Sequence, residues 1–209
     1  MKKKRNPFIK IKNRKIGSDY PPVVIAELGI NHKGHIKVAK KMVDAAARAG
    51  VEIIKHQTHV PEDEMSLEAK KIVPKNANKN IYDLIRSCML SEKDEKDFKL
   101  YTEKKGIIYI STPFSRKASN ILFSIKVPAF KIGSGESDNL PLIRHIASKR
   151  RPVVMSTGMQ TIESIHKSVE ILENSDLEYA LLECTNLYPS PPEIVSLKGV
   201  TELRRAFPN

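Results

Sequence analysis

A chain of 209 residues, 40% hydrophobic and 29% charged, has the size and composition of a globular protein with one proper core. No apolar run approaches the ~18 residues of a membrane span, and the basic start MKKKRNPFIKIKNRK lacks the apolar stretch of a secretory signal, so a membrane or secreted class is not expected. The net charge of +12 fits solubility or loose attraction to polyanions, and with no basic stripe interleaved with aromatics and no zinc-finger spacing, a specific nucleic-acid partner is not expected either.

Residues 1–19 read as a basic tail, Lys2 to Arg5, followed by a β-hairpin in which apolar and basic residues alternate around Asn13-Arg14. Val23 to Glu27 is a short apolar run, read as a buried strand. Helical spacing follows from His35 to Ala49, with Val38, Met42, Val43, Ala46 and Ala49 on one face, and Gly50 stops it. Val51 to His56 is the next strand. Val60 to Cys88 reads as an inserted excursion with its own helix near Ile81–Cys88. A charged helix over 91–105 leads through Gly106 to a strand at Ile107–Ser111. Ala129–Gly133, Pro152–Ser156 and Tyr179–Cys184 are further strands, with helices at Pro141–Lys149 and Ile162–Glu173 between them. Cys88 and Cys184 are too few for a disulfide framework and fit a reducing cytoplasm.

Apolar strands separated by amphipathic helices argue for a parallel sheet covered by helices, in about six βα units. An open dinucleotide-binding sheet and a (β/α)8 TIM-type barrel both fit. The turn ELGINHKG after the first strand lacks the G-x-G-x-x-G spacing of the former. A barrel needs eight units and about 250 residues. Residues 20–209 are therefore expected to form an incomplete barrel, truncated after about six units. A helix from Glu202 runs into Phe207-Pro208-Asn209 as a loop leading toward a further strand.

In a barrel the chemistry lies at the C-terminal ends of the strands. Those ends read AELG, IIKHQTH, IYISTP, FKIGSGE, VVMSTG and LLECTNLYP. Lys55 and Lys131 fall late in apolar strands, where an ammonium is costly without an anion or water. One such lysine can snorkel; two at corresponding positions point to a shared anion, phosphate above all. Ser111-Thr112, Ser134, Ser156-Thr157 and Thr185, beside Gly133, Gly135 and Gly158, follow successive strands and supply donors for it, although turn chemistry also favours these residue types. Glu27 and Glu136 read either as an acid–base pair or as ion-pair partners of the two lysines. His32 with His35, and His56 with His59, have short spacings that invite a metal reading, but on a strand His56 and His59 would face opposite ways.

These strand ends resemble the bacterial N-acetylneuraminate (sialic acid) synthases. The likeness runs from about Phe8 to Asn209 and is carried by KHQTH followed by EDEMS, KIGSGE, VVMSTGMQTIESI and CTNLYP. It implies a barrel enzyme that condenses phosphoenolpyruvate with N-acetylmannosamine and water to give N-acetylneuraminate and phosphate. Legionaminic or pseudaminic acid synthesis, or a fragment that only binds anions, are the alternatives. By motif match Lys55 and Lys131 would hold phosphoenolpyruvate. Thr112, Ser134, Ser156 and Asn186 would bind its carboxylate and phosphate, with Gln57 and Tyr188 lining the pocket. Glu27 would contact the sugar, and Glu136 would transfer a proton near the new carbon centre. The resemblance also implies a homodimer and a divalent metal, usually manganese, whose histidine ligands would lie beyond Asn209, as would a C-terminal antifreeze-like domain. Glu183 and Pro192 depart from the family pattern, which often has histidine and an aromatic there.

Overall fold

A computed structural model describes residues 6–74 and 78–209, so the basic run Lys2 to Arg5 lies outside the described residues. The chain divides into two compact units, residues 23–127 and the joint set 1–22 with 128–209.

The chain opens with the expected antiparallel hairpin, β1 (Phe8–Ile11) and β2 (Arg14–Gly17). Its turn is Lys12-Asn13, one residue earlier than the sequence suggests, and Lys12 takes the left-handed conformation (φ 52°) that such a tight turn requires. Ile9 and Ile11 are buried, and the Lys10 amide donates to Glu178 Oε2 at 2.6 Å.

The unit formed by residues 23–127 contains three parallel strands, β3 (Ile25–Gly29), β4 (Ile53–Thr58) and β5 (Ile108–Pro113), paired in that order. Both β3 and β4 begin two residues later than expected. Val24 is exposed, because Pro21 and Pro22 immediately upstream cannot donate to a ladder, and pairing starts with Ile25 opposite Ile53. Helix α1 (Ile36–Arg48) buries Ala39, Val43 and Ala46. Val38, expected on the inner face, is exposed, since the stripe follows i, i+4, i+7 from Ala39. The excursion after β4 holds a short helix, α2 (Pro61–Glu64), and α3 (Ile81–Cys88), capped by Asn80. Helix α4 (Glu92–Lys104) is capped by Ser91 and turns Glu95, Phe98, Lys99 and Thr102 inward. After β5 comes α5 (Arg116–Ser124), which the sequence reading did not assign. Its polar composition hides a short buried pair, Ala118 and Leu122, behind a Ser115 cap that accepts from the Ala118 amide. Ile53, Ile54, Phe98, Tyr109, Ile110 and Leu122 are fully buried and form this unit's core; each aliphatic side chain contributes about 1.5–3 kcal/mol.

The second unit joins the hairpin to β6 (Phe130–Ile132), α6 (Leu140–Ala147), β7 (Val153–Ser156), α7 (Ile162–Asn174), β8 (Tyr179–Leu182) and α8 (Lys198–Ala206). Its three sheet strands are parallel and pair in the order β6-β7-β8. Helix α7 starts at a capping box in which Thr161 and Ser164 exchange side-chain-to-backbone hydrogen bonds. Helix α8 begins four residues before the expected Glu202. Among the described residues no helix is long and apolar enough to cross a membrane.

Candidate active site

Each unit builds the same local device. In residues 23–127, Lys55 is in mid-strand and pairs in register with Ile110. Its stem carries Nζ two residues further on, to donate to Thr112 Oγ1 at 3.4 Å. In the other unit Lys131 pairs with Val154, and its Nζ reaches two residues beyond, donating to Ser156 Oγ at 2.6 Å and to the Ile132 carbonyl at 2.6 Å. Both lysines are more than nine-tenths buried, as are Thr112 and Ser156. A buried ammonium must be compensated. Around Lys55 the compensation is Glu27 Oε2 at 2.5 Å. Glu27 keeps half of its side chain in solvent, so the pair can open without unburying a carboxylate. Of the two readings of Glu27, ion pair or sugar contact, the pair is what this state displays.

Gln57 shares the face of Lys55, two residues along β4. Gly29, opposite His56 after a bulge, is left-handed (φ 51°), and a side chain there would stand 3.3 Å from Glu27 Oε1. In the second unit Ser134 Oγ accepts from the Gly158 amide at 3.1 Å. Thr157 donates to the Leu182 carbonyl through both its amide and its hydroxyl. Glu136 Oε2 accepts from Asn139 Nδ2 at 2.7 Å. Asn186 and Tyr188 are exposed, Tyr188 at 90%. A side chain on Gly158 would come within 2.0 Å of Asn186 Oδ1 and 2.7 Å of the Cys184 carbonyl, so only glycine lets the β8 exit lie where it does. The cavity of about 530 Å³ beside β8 and α8 is lined by Leu181, Leu203 and Phe207 and includes none of these site residues.

The histidines regroup. Sequence spacing pairs His32 with His35 and His56 with His59; the fold instead joins His32 to His56, Nε2 to Nε2 at 2.8 Å. His56 Nδ1 lies 3.1 Å from Glu95 Oε1, which also accepts from Tyr109 (2.5 Å) and Thr58 (2.8 Å). His59 Nδ1 meets Glu64 at 2.8 Å and its ring stacks on Phe114. Burial, then the repulsion His56 would exert whenever its ring is protonated, lowers the His32 pKa from 6.5 to about 4. Burial alone would raise the Glu95 carboxyl; its attraction to His56 and its three donors outweigh that and hold it below the ordinary range. Burial and the Glu95 charge push the Tyr109 hydroxyl well up. Sequence reasoning missed this network. Its signals were the period of two in β4, which separates His56 and Thr58 from Lys55 and Gln57, and a glutamate in the apolar stripe Glu95-Phe98-Thr102 of α4. Among the described residues there is no group of three or more His, Cys, Asp or Glu that could hold a metal.

Parallel strands alternating with helices, with polar side chains at the strand ends, follow the plan of the TIM-type (β/α) folds. The chain belongs to the NeuB family, whose model matches residues 42–209. It is 38% identical over 200 residues to an uncharacterised protein of Methanocaldococcus jannaschii, covering 95% of this chain and 56% of that one. It is 31% identical to human N-acetylneuraminate-9-phosphate synthase (94% and 55% covered) and 32% identical to the N,N'-diacetyllegionaminic acid synthase of Campylobacter jejuni (88% and 58%). The structure of N-acetylneuraminic acid synthetase from Leptospira borgpetersenii, in complex with citrate, superposes with a TM-score of 0.86 at 28% identity, covering 97% of this chain and 68% of that one. The chain spans about half the length of the curated relatives it matches.

Proposed function

We propose that this chain carries the phosphoenolpyruvate-binding part of a sialic-acid-type synthase, which condenses phosphoenolpyruvate with N-acetylmannosamine and water to give N-acetylneuraminate and phosphate. The observation that carries the reading is the lysine-to-hydroxyl device built twice, at Lys55–Thr112 and at Lys131–Ser156. Phosphoenolpyruvate brings a carboxylate and a phosphate, and each device taken by itself sets a buried ammonium beside a hydroxyl, a donor pair suited to one such anionic group.

By the family resemblance, Lys55 and Lys131 neutralise the anion, and Thr112, Ser134, Ser156 and Asn186 donate to its oxygens. Gln57 and Tyr188 line the pocket. Glu27 leaves Lys55 when the anion arrives and turns its solvent-exposed carboxylate toward the sugar. The enol carbon attacks the sugar aldehyde, water adds to the resulting oxocarbenium carbon, and phosphate leaves. Glu136, held by Asn139, moves the proton near that carbon. In the family resemblance a divalent metal, usually manganese, supplies Lewis-acid activation of the aldehyde. The enzyme so conceived is a cytoplasmic homodimer.

The test is release of inorganic phosphate from phosphoenolpyruvate, dependent on added N-acetylmannosamine. Turnover only with the sugar precursor of legionaminic or pseudaminic acid would move the substrate assignment to that branch, which the likeness to the Campylobacter jejuni enzyme also supports. Phosphoenolpyruvate binding without turnover would reduce the chain to an anion binder. Failure of a Lys131→Met change to weaken phosphoenolpyruvate binding would defeat the reading.

A further inference from the structure

The network behind β4 has only one self-consistent set of protons. The Gly34 amide can only donate, and it lies 3.1 Å from His32 Nδ1, which must therefore be the bare nitrogen. His32 then carries its proton on Nε2 and donates to His56 Nε2. His56 in turn carries its proton on Nδ1 and donates to Glu95 Oε1. The Tyr109 and Thr58 hydroxyls donate to the same oxygen, and Ser111 donates to Thr58 at 2.7 Å. Every donor has an acceptor, with both imidazoles neutral and the carboxylate ionised. A second proton on either ring would set two N–H groups against each other, at Gly34 or between the rings.

The position of this chain of bonds gives it a consequence. β4 alternates, so Lys55 and Gln57 stand on one face while His56 and Thr58 stand on the other. Glu95 holds both outward residues from α4 at once. His32 lies in the turn that leaves β3, three residues past Gly29, so the same bonds tie the β3 exit to β4.

We infer that Glu95, acting through His56, Thr58 and His32 in this single proton order, is a positioning residue that fixes the substrate face of β4, and so sets where Lys55 and Gln57 meet the anion. This rests on the reading that Lys55 binds phosphoenolpyruvate. Glu95 does not touch substrate; it fixes the height and tilt of the strand that does. A polar network in which every group is satisfied is suited to this, because it tolerates one arrangement where an apolar contact tolerates many.

Three measurements on the 209-residue chain test it. Nitrogen-15 NMR of the imidazoles at neutral pH should find His32 protonated at Nε2 and His56 at Nδ1; the opposite order overturns the inference. Titration calorimetry with phosphoenolpyruvate should show affinity about tenfold weaker in Glu95→Ala, and within about threefold of wild type in Glu95→Gln, which keeps the acceptor oxygen. A folded Glu95→Ala with wild-type affinity overturns the positioning role, even if its melting temperature falls. If Glu95→Ala does not fold, Thr58→Val removes one donor to the carboxylate and should weaken binding about threefold; unchanged affinity there counts against the role. A wild-type chain that binds no phosphoenolpyruvate defeats the proposed function instead. The inference is then decided by the Lys55 ammonium resonance, which should shift in Glu95→Ala, or in Thr58→Val if the former does not fold, and stay in Glu95→Gln; no shift overturns it.

Discussion

Lowering the pH below 6.5 should destabilise this protein through His32 before its carboxylates protonate. The ring is fully buried, lies against His56, and carries a pKa of about 4 in place of 6.5. The folded-state value is depressed, so the unfolded chain takes up this proton first as pH falls. The contribution of His32 is thus fully present above pH 6.5, declines between 6.5 and 4, and is lost below 4. The slope is at most about 1.4 kcal/mol per pH unit, and the full loss at most about 3.5 kcal/mol. That is a large fraction of the about 5–15 kcal/mol typical of a domain. Glu95, also depressed, acts in the same direction at lower pH: its contribution is present above the ordinary carboxylate range and is lost as pH falls through its folded value. Urea unfolding at pH 7.5, 6.5, 5.5 and 4.5, on wild type and on His32→Asn, isolates the effect. The wild type should lose about one proton's worth of slope more than the variant between pH 6.5 and 4.5. Parallel curves, or a His32 resonance titrating near 6.5, would refute the argument.

Three further outcomes follow from the geometry. Gly158→Ala places a methyl against the Asn186 side chain, which can turn away, and 2.7 Å from the Cys184 backbone carbonyl, which cannot, so the β8 exit must move; phosphoenolpyruvate affinity should fall about tenfold or more by calorimetry, with a folded far-ultraviolet spectrum. Gly34→Ala combines a left-handed backbone (φ 76°) with a methyl 2.6 Å from the Ser87 carbonyl; a cost of about 2–3 kcal/mol in urea unfolding is expected, above the ~1 kcal/mol of conformation alone. Lys131→Met should weaken phosphoenolpyruvate binding about 30–100-fold, since one close ion pair at an intermediate dielectric contributes up to about 4 kcal/mol before desolvation.

The βα alternation was legible because strands buried on both faces read as continuous apolar runs and most helices carried caps or stop glycines. Helix α5 was not legible: nine residues with two buried anchors, Ala118 and Leu122, give periodicity little to work on. The late starts of β3 and β4 were hidden because Val24 and Val51 are as apolar as the residues that do pair. The lysines and hydroxyls stood out because charge in an apolar strand is rare. The meeting of His32 with His56 did not, because spacing along a chain cannot show which residues of neighbouring segments a sheet will bring together.

The Lys10–Glu178 hydrogen bond joins residues 168 apart in sequence, within a unit assembled from the first 22 residues and the last 82 or so. During synthesis the hairpin emerges first yet has no partner until β8 has left the ribosome. Residues 23–127, contiguous and with their own core, can collapse long before that. The expected order of maturation is therefore middle first and ends last, with the hairpin waiting unpartnered for most of translation. A nascent chain stalled near residue 170 should already protect residues 53–58 and 108–113 from proteolysis while leaving residues 8–17 open to it.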